Sequence, residues 1–251
     1  MKYMGSKNRF AKELLPIILK DRTDGQYYVE PFAGGMNMID KVGGERIASD
    51  NNKYLIAMWE GILDERHRPY DIPKDLYNVA RDIFNSKEKG FNHTMEMDNF
   101  MVGWIGFMAS ANGRFFEGGY SGKSKTKIGT VRDYVAESIR NIEKQIPKMT
   151  DVVLESCDYR DLIIPDNSII YCDIPYKGTK QYTTSKGFDY NSFYNWCREK
   201  SADGHTVYIS EYSMPLDFKC VWEKQAKSSL SANGKSGGNK VSTEKLFKLK
   251  Q

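Results

Sequence analysis

Short unbroken apolar runs alternate along the chain with stretches in which apolar residues recur every three or four positions. The runs YYVE at 27–30, RIASD at 46–50, VVLES at 152–156, SIIYCD at 168–173 and TVYIS at 206–210 have the length of strands rather than helices. Between them, Leu55, Trp59, Ile62 and Leu63 mark one helix, and Val131, Val135, Ile139, Ile142 and Ile146 mark a second. Phe193, Trp196 and Cys197 mark a third. This alternation predicts an α/β fold of β-α units around a mainly parallel sheet. Near the C-terminus, CVWEK and TEKLFKL read as two more strands, a terminal hairpin separated by SANGKSGGN.

Over 64–130 the alternation stops and the composition shifts to Tyr, Asn, Gly, Met and charged residues, which predicts an insertion between the halves 1–63 and 131–251. Its central stretch, FMVGWIGFMASANGRFFEGGYSGKSKTKIG, is apolar and small in its first half, then glycine-rich, aromatic and basic. The aromatic and Met residues of FMVGWIGFMAS are expected to form the insertion's core rather than a stacking platform.

Composition narrows the classes. A chain of 251 residues with 40% hydrophobic and 13% aromatic residues buries a real core, which argues against disorder. No apolar stretch approaches the ~20 residues of a membrane span, and MKYMGSKNRF lacks the basic-then-apolar pattern of a secretory signal. A cytoplasmic protein with no membrane partner is expected. Cys157, Cys172, Cys197 and Cys220 form no C-x-x-C pair, so they read as reduced thiols; His67, His93 and His205 stand near no cysteine pair, so no metal site is expected. The net charge of +4 is unevenly placed: eight lysines from Lys219 onward face two glutamates, and Arg114, Lys123, Lys125, Lys127 and Arg132 cluster earlier. Such clusters suit a polyanion; a solvated lysine-rich face has the same composition.

Candidate chemistry gathers at the strand ends. In VEPFAGGMNM a Gly-Gly turn follows the first strand, where the absence of Cβ atoms admits a ligand to the backbone and a following helix would point its N-terminus at that ligand. A plain strand-to-helix turn has the same sequence. Asp50 ends the second strand, where an acid accepts hydrogen bonds from ribose hydroxyls or caps the next helix. Together they describe a nucleoside-type cofactor across the first two strands. In SIIYCDIPYKGT the fourth strand ends in Asp173, followed by Ile174, Pro175 and Tyr176. A carboxylate, backbone carbonyls and an aromatic face suit an exocyclic amino group on a planar base.

These residues, in this order, resemble the Dam-like adenine-N6 DNA methyltransferases: KYMGSK, then EPFAGG, the acid of SDNN, an insertion, DIPY in place of D-P-P-Y, and finally ISEYSMP and TEKLF. The resemblance implies a Rossmann-like methyltransferase sheet, mainly parallel with a C-terminal antiparallel hairpin, plus an inserted, mostly helical target-recognition domain over 64–130. By likeness, Tyr3, Lys7, Phe32, Ala33, Gly34, Gly35, Asp50 and Asp173 bind S-adenosylmethionine, with Lys7 on its methionine carboxylate. Asp158 is a further candidate, for the cofactor's adenine edge, and equally a helix cap or surface acid. Asp173, Ile174, Pro175 and Tyr176 hold the target adenine; Ile174 stands where the family has proline, which keeps the carbonyl but not the fixed φ. Asn112, Arg114, Lys123, Lys125 and Lys127 approach double-stranded DNA, Arg114 at a guanine edge, a phosphate or a surface salt bridge. The resemblance leaves undetermined a restriction endonuclease partner. Methylation of cytosine N4 or of a protein glutamine, and a catalytically weak or inactive DNA-binding protein, are the competing readings.

Overall fold

Apolar side chains alternate between the two faces of each short strand, and this alternation stacks the molecule in layers. The computed structural model describes residues 1–91, 94–126, 128–177, 187–227 and 241–250. The chain passes through α1 (Ala11–Ile18), β1 (Tyr28–Glu30), β2 (Arg46–Ser49), α2 (Lys53–Leu63), α3 (Lys74–Glu88) and α4 (Asn99–Ala109). It continues through β3 (Lys123–Lys125), β4 (Val131–Asp133), α5 (Tyr134–Glu143), β5 (Val152–Glu155), β6 (Ile169–Asp173), α6 (Tyr190–Ala202), β7 (Thr206–Ser210), β8 (Phe218–Lys227) and β9 (Val241–Leu249).

Seven strands form one sheet in the order β5-β2-β1-β6-β7-β9-β8. The first five are parallel, and β9 runs antiparallel to both β7 and β8. All five predicted core strands and the terminal hairpin are therefore present; the predicted linker SANGKSGGN lies outside the described residues. Tyr28, Ala48, Ile169, Tyr171 and Tyr208 face a core built with α1, α2, α4 and α5. Their strand neighbours Val29, Ile47, Ile170, Cys172, Val207 and Ile209 face the opposite core, where α6 supplies Phe193, Trp196 and Cys197. Each fully buried aliphatic or aromatic side chain contributes about 1.5–3 kcal/mol. The four cysteines are unpaired thiols. Among the described residues no helix is long and apolar enough to cross a membrane.

The helix predicted from Val131 begins three residues later. Val131 is 64% exposed and pairs with Lys125 in a separate two-stranded ribbon, β3–β4. Asp133 then accepts from the Ala136 N–H and starts α5, so the apolar period ran one turn past the structural boundary.

Segment 64–130 contributes α3, α4 and the first strand of that ribbon, β3. Phe100, Trp104, Phe107 and Met108 are buried, as core residues should be, but in one apolar cluster with Leu55, Met58 and Trp59 of α2. The segment packs directly onto one face of the sheet assembly.

Candidate active site

β1 and β6 are neighbours, and the strand order reverses between them: the chain leaves β1 for β2 and β5 on one side, while β6 and β7 lie on the other. Open α/β sheets hold ligands at such a switch point, beyond the carboxyl ends of the strands. That edge carries Glu30 on β1, Asp50 after β2, Asp158 after β5, Asp173 on β6 and Glu211 after β7. Because β9 is antiparallel and Ser210 pairs with Leu246, the beginning of β9 brings Glu244 to the same edge.

The elbow after β1 is fastened to β2. Ala33 N–H donates to the Ser49 carbonyl at 2.8 Å, and Gly34 N–H donates to Asp50 Oδ2 at 2.9 Å. Asp50 Oδ1 accepts from Asn52 N–H at 2.9 Å. Burial pushes the Asp50 carboxyl above its usual range against these two bonds. Two expectations change here. Asp50 does not cap α2: Asn52 does, accepting from the Tyr54 and Leu55 N–H groups. Nor does a helix N-terminus follow the elbow, because Gly34 and Met36 take positive φ and the chain goes through turns to a single 3₁₀ turn, Ile39–Lys41. Gly35 lies beneath Tyr3, where an added Cβ would come within 2.5 Å of the tyrosine's own Cβ. Asn37 Nδ2 is buried beside it with no hydrogen-bond partner among the described residues. Phe32 leaves the elbow for the opposite core, 5.2 Å from the Tyr159 ring and 5.7 Å from Phe193.

Tyr3 stacks on Phe107 of α4 at 6.0 Å, and Gly113 sits against the backbone of Lys2 and Tyr3. Thus the loop with Asn112 and Arg114 adjoins the segment that carries Tyr3 and Lys7. Arg114 Nε is buried without a hydrogen-bond partner among the described residues. Lys123 and Lys125 stand exposed on the ribbon, Lys123 within 3.7 Å of Asp133, and Lys127 lies outside the described residues. Asp158 is bound by its neighbour Arg160 at 2.7 Å, which holds its carboxyl below the usual range.

Around Asp173 the structure assembles a cluster of acids and tyrosines about one lysine. Lys7 Nζ lies 3.0 Å from Asp173 Oδ1, 3.6 Å from Glu244 Oε2 and 4.5 Å from the centre of the Tyr176 ring. Burial raises the Asp173 carboxyl, Lys7 opposes that rise, and Glu244 adds to it. Tyr176 donates to Glu244 at 3.0 Å, and its ring meets Tyr212 edge-on at 4.6 Å. On the same sheet face, Tyr28 donates to Glu30 at 2.9 Å and Tyr171 bonds Ser210 at 2.8 Å. Burial lifts Glu30 to about 8, with the Tyr28 hydrogen bond opposing and Asp173 reinforcing the shift.

The DIPY loop is held at three points. Ile174 is 3% exposed, packed in the core with Phe193 and Trp196. Tyr190 donates to the Pro175 carbonyl at 2.9 Å, and Lys177 N–H donates to Glu211 at 2.9 Å. The rigidity that a proline at position 174 would bring is supplied here by packing and these bonds.

Sequence reasoning assigned no role to Glu30, Glu211 or Glu244. Glu30 was within reach, since period 2 puts it with Tyr28 on one face; nothing local marks Glu244.

An open, mainly parallel seven-stranded sheet with a glycine elbow on β1 and an acid at the tip of the adjacent β6 is that of a methyltransferase fold. Residues 3–217 match the model of the D12 class N6 adenine-specific DNA methyltransferases, and the chain belongs to that family. It is 23% identical over 229 residues to the retron Ec67 DNA adenine methylase of Escherichia coli, an alignment covering 86% of this chain and 78% of that protein. The chain is thus an enzyme of the adenine-specific DNA methyltransferase type.

Proposed function

We propose that the enzyme methylates N6 of an adenine rotated out of duplex DNA at a specific site, with S-adenosylmethionine as donor. The observation that carries this reading is the adjacency of the two tips: the elbow of β1 and Asp173 of β6 stand on neighbouring parallel strands, about 4.8 Å apart by sheet geometry. Donor and target therefore share one crevice.

The residues fit a nucleoside-bearing donor. Asn37 offers a buried amide nitrogen without a partner among the described residues, the elbow has two glycines in succession, and Asp50 is held in place by two backbone N–H groups. Tyr3, Phe32, Ala33, Gly34, Gly35 and Asp50 would form that half of the site. When bound, the donor supplies a methyl group on a sulfonium, already activated, so no cysteine nucleophile is needed.

Asp173 and the Ile174 carbonyl accept hydrogen bonds from the adenine N6 amine and aim its lone pair; positioning is the main contribution to rate. Lys7 favours the ionised form of Asp173, opposing the rise that burial causes. The amine attacks as the neutral base and sheds its proton afterwards, with the Asp173 carboxylate at hand as acceptor. Rotating the adenine out costs a few kcal/mol, offset by stacking on Tyr176 at about 1–3 kcal/mol and by backbone contacts. Arg114 is assigned to a guanine edge or a phosphate, with Asn112 in the same loop.

Lys123, Lys125 and Lys127 are assigned to phosphates. Replacing Lys123 and Lys125 with glutamine flattens the slope of log K against log salt by about 0.9 for each phosphate no longer neutralised; an unchanged slope in a binding titration removes them from the interface. The function itself is tested by incubating the protein with duplex DNA and labelled donor, then digesting to nucleosides. Label in N6-methyladenine supports it; label in N4-methylcytosine, or none in DNA, overturns it.

A further inference from the structure

We propose that Glu244 is a positioning residue for methyl transfer, so that the C-terminal strand β9 completes the crevice; this rests on the function proposed above. Glu244 lies beyond residue 217, where the family match ends. It is 7% exposed, and a buried carboxylate is costly unless it is paired. Its neighbours on the hairpin are paired elsewhere: Lys224 with Glu13 of α1, and Lys245 with Glu223 of β8. Glu244 shares a sheet face with Lys224 and not with Lys245, and among the described residues its partners, the Tyr176 hydroxyl at 3.0 Å and Lys7 at 3.6 Å, both belong to the site. The first bond fixes the ring that stacks on the adenine. The second shares Lys7 between two carboxylates and so sets where that ammonium sits relative to Asp173.

Glu244 is also a negative neighbour of Asp173. Among the described residues the other ionisable groups around Asp173 are Lys7 ahead of α1, Glu30 on β1, Tyr171 and Cys172 on β6, Tyr176 in the loop and Glu211 after β7. Removing the Glu244 charge lets Asp173 ionise at lower pH.

The test uses the full chain, duplex DNA and labelled S-adenosylmethionine. E244A lowers kcat about tenfold, the size of one hydrogen bond to a charged group, with the KM values for DNA and donor within about twofold. E244Q, whose amide oxygen still accepts the Tyr176 hydroxyl, recovers most of kcat. In both variants the acid limb of the kcat/KM profile moves to lower pH. If E244A does not fold, the limb measured in E244Q decides the matter. Parental kcat in E244A, equal impairment of the two variants, or an unmoved acid limb overturns the assignment. A parent that methylates no DNA overturns the proposed function instead.

Discussion

Asp173→Ala lowers kcat by about a thousandfold, the scale on which a single aligned polar group contributes to transition-state stabilisation, and leaves low-salt DNA affinity within about twofold. The side chain stands at the tip of β6 with Lys7 at 3.0 Å and Tyr176 three residues on, so its loss removes the acceptor that aims N6 without touching the exposed lysines of the ribbon. The fold should tolerate the change, since burial already disfavours this carboxylate and Lys7 retains Glu244 as a partner. Asp173→Asn sharpens the result: it keeps the shape but turns one acceptor into a donor facing the Lys7 ammonium, and should be as inactive as the alanine variant. Single-turnover transfer and filter binding on the same preparations separate chemistry from affinity. Turnover within tenfold of the parent in either variant would refute the role given to Asp173.

Glu30→Gln raises the melting temperature by several degrees at pH 8 and by little at pH 4.5. Glu30 is buried at the tip of β1, and its carboxyl is lifted from 4.5 to about 8. A group whose folded pKa is raised contributes its stability below the unfolded value and loses it as pH climbs through the folded one. The parent is therefore destabilised steadily between about pH 4.5 and 8, at up to 1.4 kcal/mol for each pH unit. Allowing for relaxation around the charge, the cost approaches roughly 3 kcal/mol at the top of that window, or about 6–12 °C for a chain of this size. Glutamine keeps the acceptor for Tyr28 and cannot ionise, so the variant's curve lacks this slope. Parallel melting curves for parent and variant across the window would remove the buried acid from the account of stability.

The core strands were legible because short apolar runs bounded by polar or turn residues have few other ways to be buried. The tips of those strands were legible for a related reason: β1 and β6 are parallel, so the elbow and Asp173 had to fall on one edge once the α/β pattern was recognised. The spacing of Ala11, Leu14, Leu15 and Ile18, which became the buried face of α1, was equally readable but was not assigned. Boundaries were harder. Asp50 and Asn52 are both good caps by type, and only the hydrogen bonds of the elbow decided that Asp50 belongs to Gly34 and Asn52 to α2. Val131 continued the period of α5 but lies in the ribbon, because Asp133 supplies the cap.

The sequence by itself determined the alternation of strands and helices, the glycine elbow and the acid at the end of β6, all of which depend on residues close together in the chain. Only the tertiary structure decided that Lys7, Asp173, Tyr176 and Glu244 meet. Those contacts join a segment before α1, the tip of β6 and the start of β9, and no local periodicity encodes which charged residue of a C-terminal strand turns inward. The pairing of Lys7 with two carboxylates, the upward shift of Glu30 and the place of Gly113 against Tyr3 have the same origin: burial and neighbouring charge are properties of the packed chain, set by strand order and by the docking of 64–130 onto the sheet assembly.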